Sequence, residues 1–269
     1  MAIVVVLLGC GVPAAASPEL TVTGLLGALA GPDAAVPDTA WGVDPTTGQV
    51  QLTVFSSAPT DRVDGLLRLA DRYGNKVRVR QVAGALSEQV YGGDEISDGQ
   101  ILCSAGFNVT RGGQDYLLTA GHCTAGLPDW QNVGPSESSN FPDTDFGLVR
   151  NDSGDAPGGV DMYDQSVRLV SSVGTAAVGE PVCASGEATG VTCGKVTAVD
   201  QTVDYGDGNV VHGLIETDVH TDHGDSGGPL FDGNTGLGTV SGGDGQTDYF
   251  QPLSVELDTY GLSLAASPW

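Results

Sequence analysis

From about residue 95 onward, the apolar residues of this sequence occur in short runs that are bounded by turn residues. The runs are "ILCSAGFNVT", "DYLLTAGHC", "DFGLVRN", "GKVTAVDQTVDY" and "VVHGLIETDV". Short runs rich in valine and threonine are typical of β-strands joined by tight turns. The 41 glycines supply many turn positions, and "PLSVELDTYGLSL" (252–264) is the best helical candidate. The pattern predicts an all-β fold with one short helix near the C-terminus.

An earlier part of the chain, residues 18–89, has a different pattern. "VQLTVFSS" is followed by "DRVDGLLRLADRYGNKVRVRQV". Apolar residues recur at helical spacing in the second stretch, namely Val63, Leu66, Leu67, Leu69 and Ala70. The segment therefore predicts a strand, a helix and a strand, which together form a small α/β unit. The polar stretch "VYGGDEISDGQ" follows it as a candidate processing boundary.

Residues 1–17 resemble the apolar core of a secretory signal peptide. The run "MAIVVVLLGC" is followed by small residues, with "AAAS" (14–17) as the cleavage zone. "LLGC" also resembles a lipoprotein acceptor site at Cys10. No other segment is long and apolar enough to span a membrane. We therefore expect a secreted protein whose mature form has no membrane segment, with lipid anchoring through Cys10 as the competing interpretation.

The charge of the chain is concentrated in its larger part. Residues 1–89 contain six basic and eight acidic residues, whereas residues 90–269 contain four basic and 26 acidic residues. So acidic a surface repels nucleic acid and anionic membranes, which excludes both as partners. It also predicts a protein that needs or tolerates high salt, because salt screens the repulsion among its carboxylates.

Four cysteines remain when Cys10 is set aside: Cys103, Cys123, Cys183 and Cys193. In an exported chain they indicate disulfides, and four cysteines allow three pairings. Pairing each cysteine with its neighbour in sequence would close two short loops. A zinc site is the alternative, but the Cys-x-x-Cys spacing of such sites is absent from the sequence.

The stretch "HTDHGDSGGPLF" (220–231) places Ser226 among glycines. A serine nucleophile needs a histidine base and an acid that orients the base. All four histidines, His122, His212, His220 and His223, precede Ser226. This excludes the Ser, acid, His order of α/β-hydrolases. The subtilisin order would need an acid upstream of His122, such as Asp115, whose surroundings do not support it. The order His, Asp, Ser remains.

His122 and Asp145 are the candidates for the other two roles. His122 follows an apolar run in "YLLTAGHCT", next to a cysteine that would stiffen it in a disulfide. Asp145 lies at the start of another apolar run in "PDTDFGLVR", which suits an acid that must be partly buried. Asp143 is its rival, but its distance from the strand predicts a solvated side chain.

These motifs resemble the bacterial chymotrypsin-like serine proteases of the streptogrisin and α-lytic protease type. The resemblance lies in "CSAGFNVTRGGQDYLLTAGHCT", "DFGLVRN", "VCASGEATGVTCGKVTAVDQTVDYGDG" and "GDSGGPL" with the later "SGG" and "YFQP". It implies two six-stranded antiparallel β-barrels, over about 90–165 and 166–255, within a protease domain of residues 90–269. The triad would lie in the cleft between the barrels. It also implies that residues 18–89 are a propeptide removed near Val90, and it supports the pairs Cys103–Cys123 and Cys183–Cys193.

The resemblance also assigns roles around the triad. The backbone N–H groups of Gly224 and Ser226 would form the oxyanion hole. Ser241 and Gly243 would pair with the substrate backbone, and Ser241 would also hydrogen-bond Asp145.

The chain departs from the family pattern at two places. His220 stands where streptogrisins carry the first cysteine of a further disulfide, and the segment for the second cysteine is deleted between Gly245 and Tyr249. Ala184 stands where relatives usually have the arginine that neutralises the acid before the nucleophile, here Asp225. Lys195 is a possible replacement.

The sequence offers three candidates for the substrate specificity. Small residues around "SGG" favour cleavage after large apolar side chains. Asp218 would instead select Lys or Arg, and protonated His220 or His223 would favour acidic residues. "HTDH" could ligate a metal, but three ligands on one loop form a poor cage, so we expect no metal and no cofactor.

Two classes of function follow. The first is a secreted, monomeric serine endopeptidase that acts on polypeptides through an acyl-enzyme. It would be made as an inactive precursor, with its own propeptide as a partner. The second is a non-catalytic binding module that keeps the barrels. The complete triad favours the first, and the missing arginine and disulfide favour the second.

Overall fold

The structure is a computed structural model that describes residues 20–84, 86 and 89–266. The chain divides into two compact units, one up to Leu86 and the other from Ser87 onward. The signal-like segment 1–17, including Cys10, lies outside the described residues. Within the part of the chain that the structure covers, every helix is too short or too polar to traverse a bilayer.

The first unit is a three-stranded sheet with two helices. Its elements in chain order are α1 Val22–Leu29, β1 Thr39–Val43, β2 Val50–Phe55, α2 Thr60–Arg72 and β3 Val77–Val82. β2 pairs antiparallel with β1 and parallel with β3, so α2 forms the crossover between two parallel strands. The predicted strand, helix and strand are therefore present. α1 and β1, which the sequence analysis did not identify, add Leu25 and Leu29 to the same core.

The second unit contains seventeen strands and two helices among the described residues. The strands are β4 Glu95–Ser97, β5 Leu102–Ser104, β6 Asn108–Arg111, β7 Gln114–Thr119, β8 Asp129–Trp130, β9 Gly134–Asn140, β10 Phe146–Arg150, β11 Gly159–Asp161, β12 Val167–Leu169, β13 Ser172–Val173, β14 Pro181–Gly186, β15 Gly190–Asp204, β16 Val210–Thr217, β17 Pro229–Asp232, β18 Thr235–Gly243, β19 Asp248–Pro252 and β20 Ser263–Leu264. The helices are α3 Gly121–Thr124 and α4 Leu253–Tyr260. The all-β expectation and the short C-terminal helix are confirmed.

The first barrel is a six-stranded sheet in the order β20, β6, β7, β10, β9, β8. Its interior is a cluster of buried apolar side chains that includes Leu117, Trp130 and Val149. The edge strand β20 comes from the far end of the chain and pairs antiparallel with β6, with Leu264 opposite Val109. The range 90–165, assigned to this barrel from the sequence, therefore lacks one of its strands.

The second barrel is a closed ring of six antiparallel strands. β14, β15, β16, β19, β18 and β17 follow one another, and the pairing of β17 with β14 completes the circle. β13 adds to the outside of β18 as a short parallel strand. Alternate side chains fill the interior, among them Val182, Ile215 and Phe250. Closure leaves no free sheet edge in the ring, which is one way that β-proteins avoid aggregation.

α4 packs its apolar side against the first barrel. Leu253 and Leu257 belong to one buried cluster with Val109 of β6 and with Tyr116 and Leu118 of β7. The helix ends at Gly261, whose φ of 64° is left-handed and therefore suits glycine at this position. The turn redirects the chain into β20.

Candidate active site

His122 lies in the short helix α3, directly after β7. The preceding Gly121 has no room for a side chain, because a Cβ atom there would lie 2.4 Å from the carbonyl oxygen of Asn140. The following Cys123 is joined to Cys103 of β5 by a disulfide. A close backbone approach on one side and a crosslink on the other therefore fix the position of the imidazole. Phe141 packs edge-on against the ring, at 5.9 Å between centroids.

Asp145 is completely buried just before β10 and faces His122. The His122 Nδ1 atom lies 2.9 Å from Oδ2 and 3.1 Å from Oδ1 of this carboxylate. The backbone N–H of His122 donates to Oδ1 as well, at 2.9 Å. These contacts set the ring orientation and place the proton on Nδ1, which leaves Nε2 free to act as a base. Asp143, the rival acid, is exposed.

Two residues of the second barrel complete the surroundings of Asp145. The Ser241 hydroxyl donates to its Oδ2 at 2.7 Å, and its backbone N–H donates to Oε1 of Gln251 at 2.9 Å. The Tyr205 hydroxyl lies 3.0 Å from Ser241 Oγ, so the network reaches the cleft surface. Burial raises the pKa of Tyr205 to about 12. Tyr205 is therefore a neutral hydrogen-bonding group at physiological pH.

Ser226 lies in the loop before β17, whose backbone needs glycine on both sides. Gly224 and Gly227 have φ values of 112° and 87°. A Cβ atom at Gly227 would lie 2.1 Å from Thr119 Oγ1. The carbonyl oxygen of Ser226 accepts the Ser104 N–H at 2.8 Å. Within the described part of the chain, the N–H groups of Gly224 and Ser226 donate no hydrogen bond, so both remain available to an incoming oxyanion.

Ser226 and His122 line one cavity of about 540 Å³. No hydrogen bond joins their side chains among the residues that the structure describes. Catalytic hydrogen bonds are often long in ligand-free enzymes and shorten when substrate binds. The shared cavity therefore keeps both residues as candidates for one site.

Asp225, the acid before Ser226, is held by an arrangement that the sequence did not reveal. Its carboxylate is buried and accepts four hydrogen bonds. The N–H groups of Ala188 and Thr189 donate to Oδ1 at 2.9 and 3.1 Å, and the Thr189 hydroxyl and the Asp222 N–H donate to Oδ2, both at 2.8 Å. The turn between β14 and β15 thus takes the place of a cation.

The two residues that the sequence analysis linked to Asp225 lie elsewhere. Ala184 is buried in the apolar core of the second barrel. Lys195 is exposed and its Nζ pairs with Asp218 Oδ2 at 3.1 Å. Lys195 is therefore not the replacement for the missing arginine, because its charge serves another carboxylate. The disulfide between Cys183 and Cys193 joins β14 to β15 and braces the turn that holds Asp225.

The specificity candidates have different surroundings. Asp218 is absent from the cavity lining, and its Oδ1 accepts the Lys195 N–H at 2.7 Å, so its carboxylate is committed to Lys195. His220 and His223 both line the cavity. The Nδ1 atom of His220 donates to the carbonyl oxygen of Gly245 at 2.7 Å. The family resemblance implies a disulfide between the segments of His220 and Gly245, and this hydrogen bond joins them instead.

The histidine loop does not gather metal ligands. Among the described residues, the grouping with suitable donor atoms is Cys103, His122 and Cys123. Its two cysteines are bonded to each other, so neither offers a thiolate.

Sequence reasoning missed several residues of the site, namely Phe141, Thr189, Tyr205, Asp248 and Gln251. Gln251 and Tyr205 lie within the stretches "YFQP" and "VDYGDG", which carry the family resemblance. The sequence analysis assigned neither residue a role. Thr189 gave no signal, because its role depends on a turn that is brought to Asp225 by the pairing of distant strands.

Comparison with known proteins agrees with this geometry. Residues 90–255 match the family model described as Trypsin. The chain is 41% identical to streptogrisin-D of Streptomyces griseus over 243 residues, which cover 86% of this chain and 62% of that protein. The chain therefore spans less than two thirds of the length of streptogrisin-D.

Two solved structures are also similar. Thermobifida fusca Protease A has a TM-score of 0.64 and 35% identity, with 66% of this chain and 99% of that chain covered. A glutamic acid specific serine protease that utilises a novel histidine triad in substrate binding has a TM-score of 0.62 and 40% identity, with 65% and 100% covered. With the family model matching well over half of its length, the chain belongs to the trypsin family and is a chymotrypsin-like serine protease.

Proposed function

We propose that this chain is a secreted serine endopeptidase that is made as an inactive precursor. The observation that supports the proposal best is the network of Ser241, Asp145 and His122 beside Ser226 in one cavity. Polypeptides are its substrates, and the segment 18–89 is its propeptide and partner. No cofactor or metal takes part, and the enzyme acts as a monomer.

The reaction uses the groups of this network in turn. Ser226 Oγ attacks the carbonyl carbon of the scissile bond while His122 Nε2 accepts its proton. Asp145 stabilises the imidazolium that forms. His122 then protonates the leaving amine, which gives an acyl-enzyme, and a water activated by His122 hydrolyses that ester.

The N–H groups of Gly224 and Ser226 hold the negative oxygen of the tetrahedral intermediate. Loss of one such donor lowers the rate by about 10² to 10³-fold. The hydrogen bonds to Asp225 support this role, because they fix the residue that lies between the two donors. Ser241 and Gly243 lie at the end of β18 next to the cavity, where they pair with the substrate backbone.

The precursor model rests on the separate unit that precedes the protease. That unit has its own core and is followed by the start of the family match at residue 90. Twin barrels depend on contacts between distant residues and fold slowly, so a preceding unit that assists folding has a physical purpose. N-terminal sequencing of the secreted protein should find Val90 at or near the new terminus.

The catalytic assignment is tested with Ser226→Ala and a matched control, Ser172→Ala, at an exposed serine of β13. The parent enzyme and Ser172→Ala should cleave a labelled protein and react with a fluorophosphonate. Ser226→Ala should do neither and should keep the parent melting temperature. Covalent labelling of Ser226→Ala would contradict the assignment.

The folding role of the propeptide is tested by refolding residues 90–269 with and without the preceding segment. We expect recovery of activity to be faster with the segment present. Equal rates would remove the folding role and leave the catalytic assignment intact.

A further inference from the structure

The cavity beside Ser226 extends into a pocket with two walls. One wall is Thr221–His223, on the loop before the nucleophile, and the other is Ser241–Gly243 of β18. We call this the specificity pocket. Glycines 242, 243 and 245 line it, and their lack of side chains leaves room for a long side chain of the substrate.

Asp248 connects the two walls of the specificity pocket. It is the first residue of β19 and pairs directly with Gly243 of β18. Its Oδ1 accepts the Thr221 hydroxyl at 2.7 Å. A Cβ atom at Gly243 would lie 2.3 Å from this oxygen, so a glycine there is required for the carboxylate to fit. The acid therefore lies where both walls meet.

Among the described residues, no Lys or Arg pairs with the carboxylate of Asp248, and the nearby His220 ring lowers its pKa by less than burial raises it. Only 1% of the residue is exposed, and its Oδ2 is buried without a hydrogen-bond partner. None of the ion pairs in the described part of the chain includes it. An unpaired buried carboxylate is unfavourable unless a cation or hydrogen-bond donor meets it. Burial raises the pKa of Asp248, consistent with this unmet need.

We propose that Asp248 selects a Lys or Arg side chain for the residue on the acyl side of the scissile bond. This proposal rests on the proposed peptidase function. The substrate cation would enter the specificity pocket and supply the partner that the carboxylate lacks. Asp222 and Asp244 also line the pocket, and their charges favour the same substrates and disfavour acidic ones.

This assignment keeps the Lys or Arg preference considered from the sequence but moves it from Asp218 to Asp248, and it departs from the other two expectations. Asp218 was the acid considered for Lys or Arg, but its carboxylate is bound to Lys195. Large apolar side chains were the first expectation, yet a buried acid where the pocket walls meet is a poor contact for them. Selection of glutamate by His220 or His223 is disfavoured as well. His220 already donates a hydrogen bond to the Gly245 carbonyl oxygen. His223 shares the pocket lining with several carboxylates, which repel an acidic side chain.

The proposal is tested with peptide amides that differ only at the residue before the cleaved bond: Lys, Arg, Phe, Leu or Glu. The parent enzyme should prefer Lys and Arg. Asp248→Asn keeps an oxygen to accept the Thr221 hydroxyl but removes the charge. Its kcat/KM for Lys and Arg should fall about 10²-fold, whereas kcat/KM for Phe and Leu should change little.

Asp232→Asn is the matched control, because Asp232 is an exposed acid of β17 that does not line the cavity. It should change kcat/KM for Lys and Arg by no more than a few-fold. Equal effects of the two variants would show that general charge, and not Asp248, selects the substrate. A parent preference for Phe, Leu or Glu, unchanged in Asp248→Asn, would overturn the proposal.

Two further measurements keep the outcomes distinct. Fluorophosphonate titration of each preparation counts active sites, so an unlabelled parent enzyme would refute the peptidase function itself. The second measurement compares the affinity of the parent enzyme for benzamidine with its affinity for neutral benzamide. It depends neither on catalysis nor on a variant that folds. Benzamidine should bind at least about tenfold more tightly, and equal binding of the two would count against Asp248 as the selecting charge.

Discussion

In the proposed mechanism, Thr189 is a positioning residue for the oxyanion hole. It is the only side chain among the four donors to Asp225, and Asp225 separates the two N–H groups that would bind the oxyanion. That role would be local and electrostatic, since a hydroxyl and three N–H groups meet the carboxylate where the family resemblance implies an arginine. Hydrogen bonds to a charged group are stronger than those between neutral groups, which explains how Asp225 is held without an arginine.

Thr189→Val should therefore impair catalysis more than binding. The variant keeps the shape of threonine but removes one of the four donors. We expect kcat on a peptide substrate to fall about tenfold with little change in KM, because the oxyanion is present only in the transition state. Thr189→Ser restores the hydroxyl and should recover most of the activity. A loss of stability with unchanged kcat would assign Thr189 a structural role alone.

Asp94 makes the stability of the protease unit depend on pH. Burial raises its pKa to about 6, against a lowering effect of the hydrogen bond from the Tyr91 N–H. The unfolded chain loses this proton near pH 3.8. The folded state therefore binds more protons between these two values, and its stability falls as the pH rises through that window.

Asp94→Asn should remove this dependence. The amide still offers an oxygen to Tyr91 but cannot ionise. At pH 7 the variant should be more stable than the parent by about 1–2 kcal/mol, a figure reduced for partial exposure of the carboxylate. Below pH 4 the two should melt together. Melting curves in a Ser226→Ala background avoid self-digestion, and a stability gap of equal size at both pH values would contradict the assignment.

At the scale of elements, a hydrogen bond joins two walls of the specificity pocket at the place where the family resemblance implies a disulfide. His220 precedes the loop 221–223, and Gly245 follows β18. The bond persists in both protonation states of the histidine, because Nδ1 is the donor to a carbonyl oxygen in each. The hydrogen bond therefore helps to hold this wall of the specificity pocket in position.

His220→Ala should loosen this wall. We expect the ratio of kcat/KM between preferred and poor substrates to fall a few-fold, because segments without crosslinks open more easily. His223→Ala, on the same loop but without the bond to Gly245, is the control and should keep the parent ratio. An unchanged ratio in both variants would show that other contacts hold the wall.

The sequence predicted the strands and the helix better than it predicted the contacts between residues that are distant in sequence. Strand runs, the short C-terminal helix and the order of His122, Asp145 and Ser226 follow from local patterns and a count of histidines. The groups that hold Asp145 do not, since Ser241 and Gln251 lie 96 and 106 residues away in sequence. Asp218 was a candidate for selecting Lys or Arg, but its position in the sequence could not reveal its ion pair with Lys195.

At the scale of the whole molecule, negative charge is the main feature. Residues 90–269 carry 26 acidic and four basic residues. In the described structure, the acids within ion-pair distance of a base are Glu137, Asp145, Asp152 and Asp218. The remaining carboxylates repel one another in the compact state, and salt screens that repulsion.

The mature enzyme should therefore melt at a higher temperature in 1 M sodium chloride than in 20 mM. We expect a rise of several degrees, steepest at low salt, where the screening length changes most. An isomolar sucrose series separates screening from general exclusion effects and should lack the steep initial rise. A melting temperature that does not respond to salt would show that the acids serve solubility alone.

The pairing of β20 with β6 has a consequence for the order of events during synthesis. The barrel that contributes His122 and Asp145 is mostly encoded early, yet its edge strand is Ser263–Leu264. A nascent chain on the ribosome therefore carries an unfinished edge until these residues have been made. The first barrel is therefore completed only after the strands of the second barrel have been made, so the two barrels cannot finish folding one after the other in the order of synthesis.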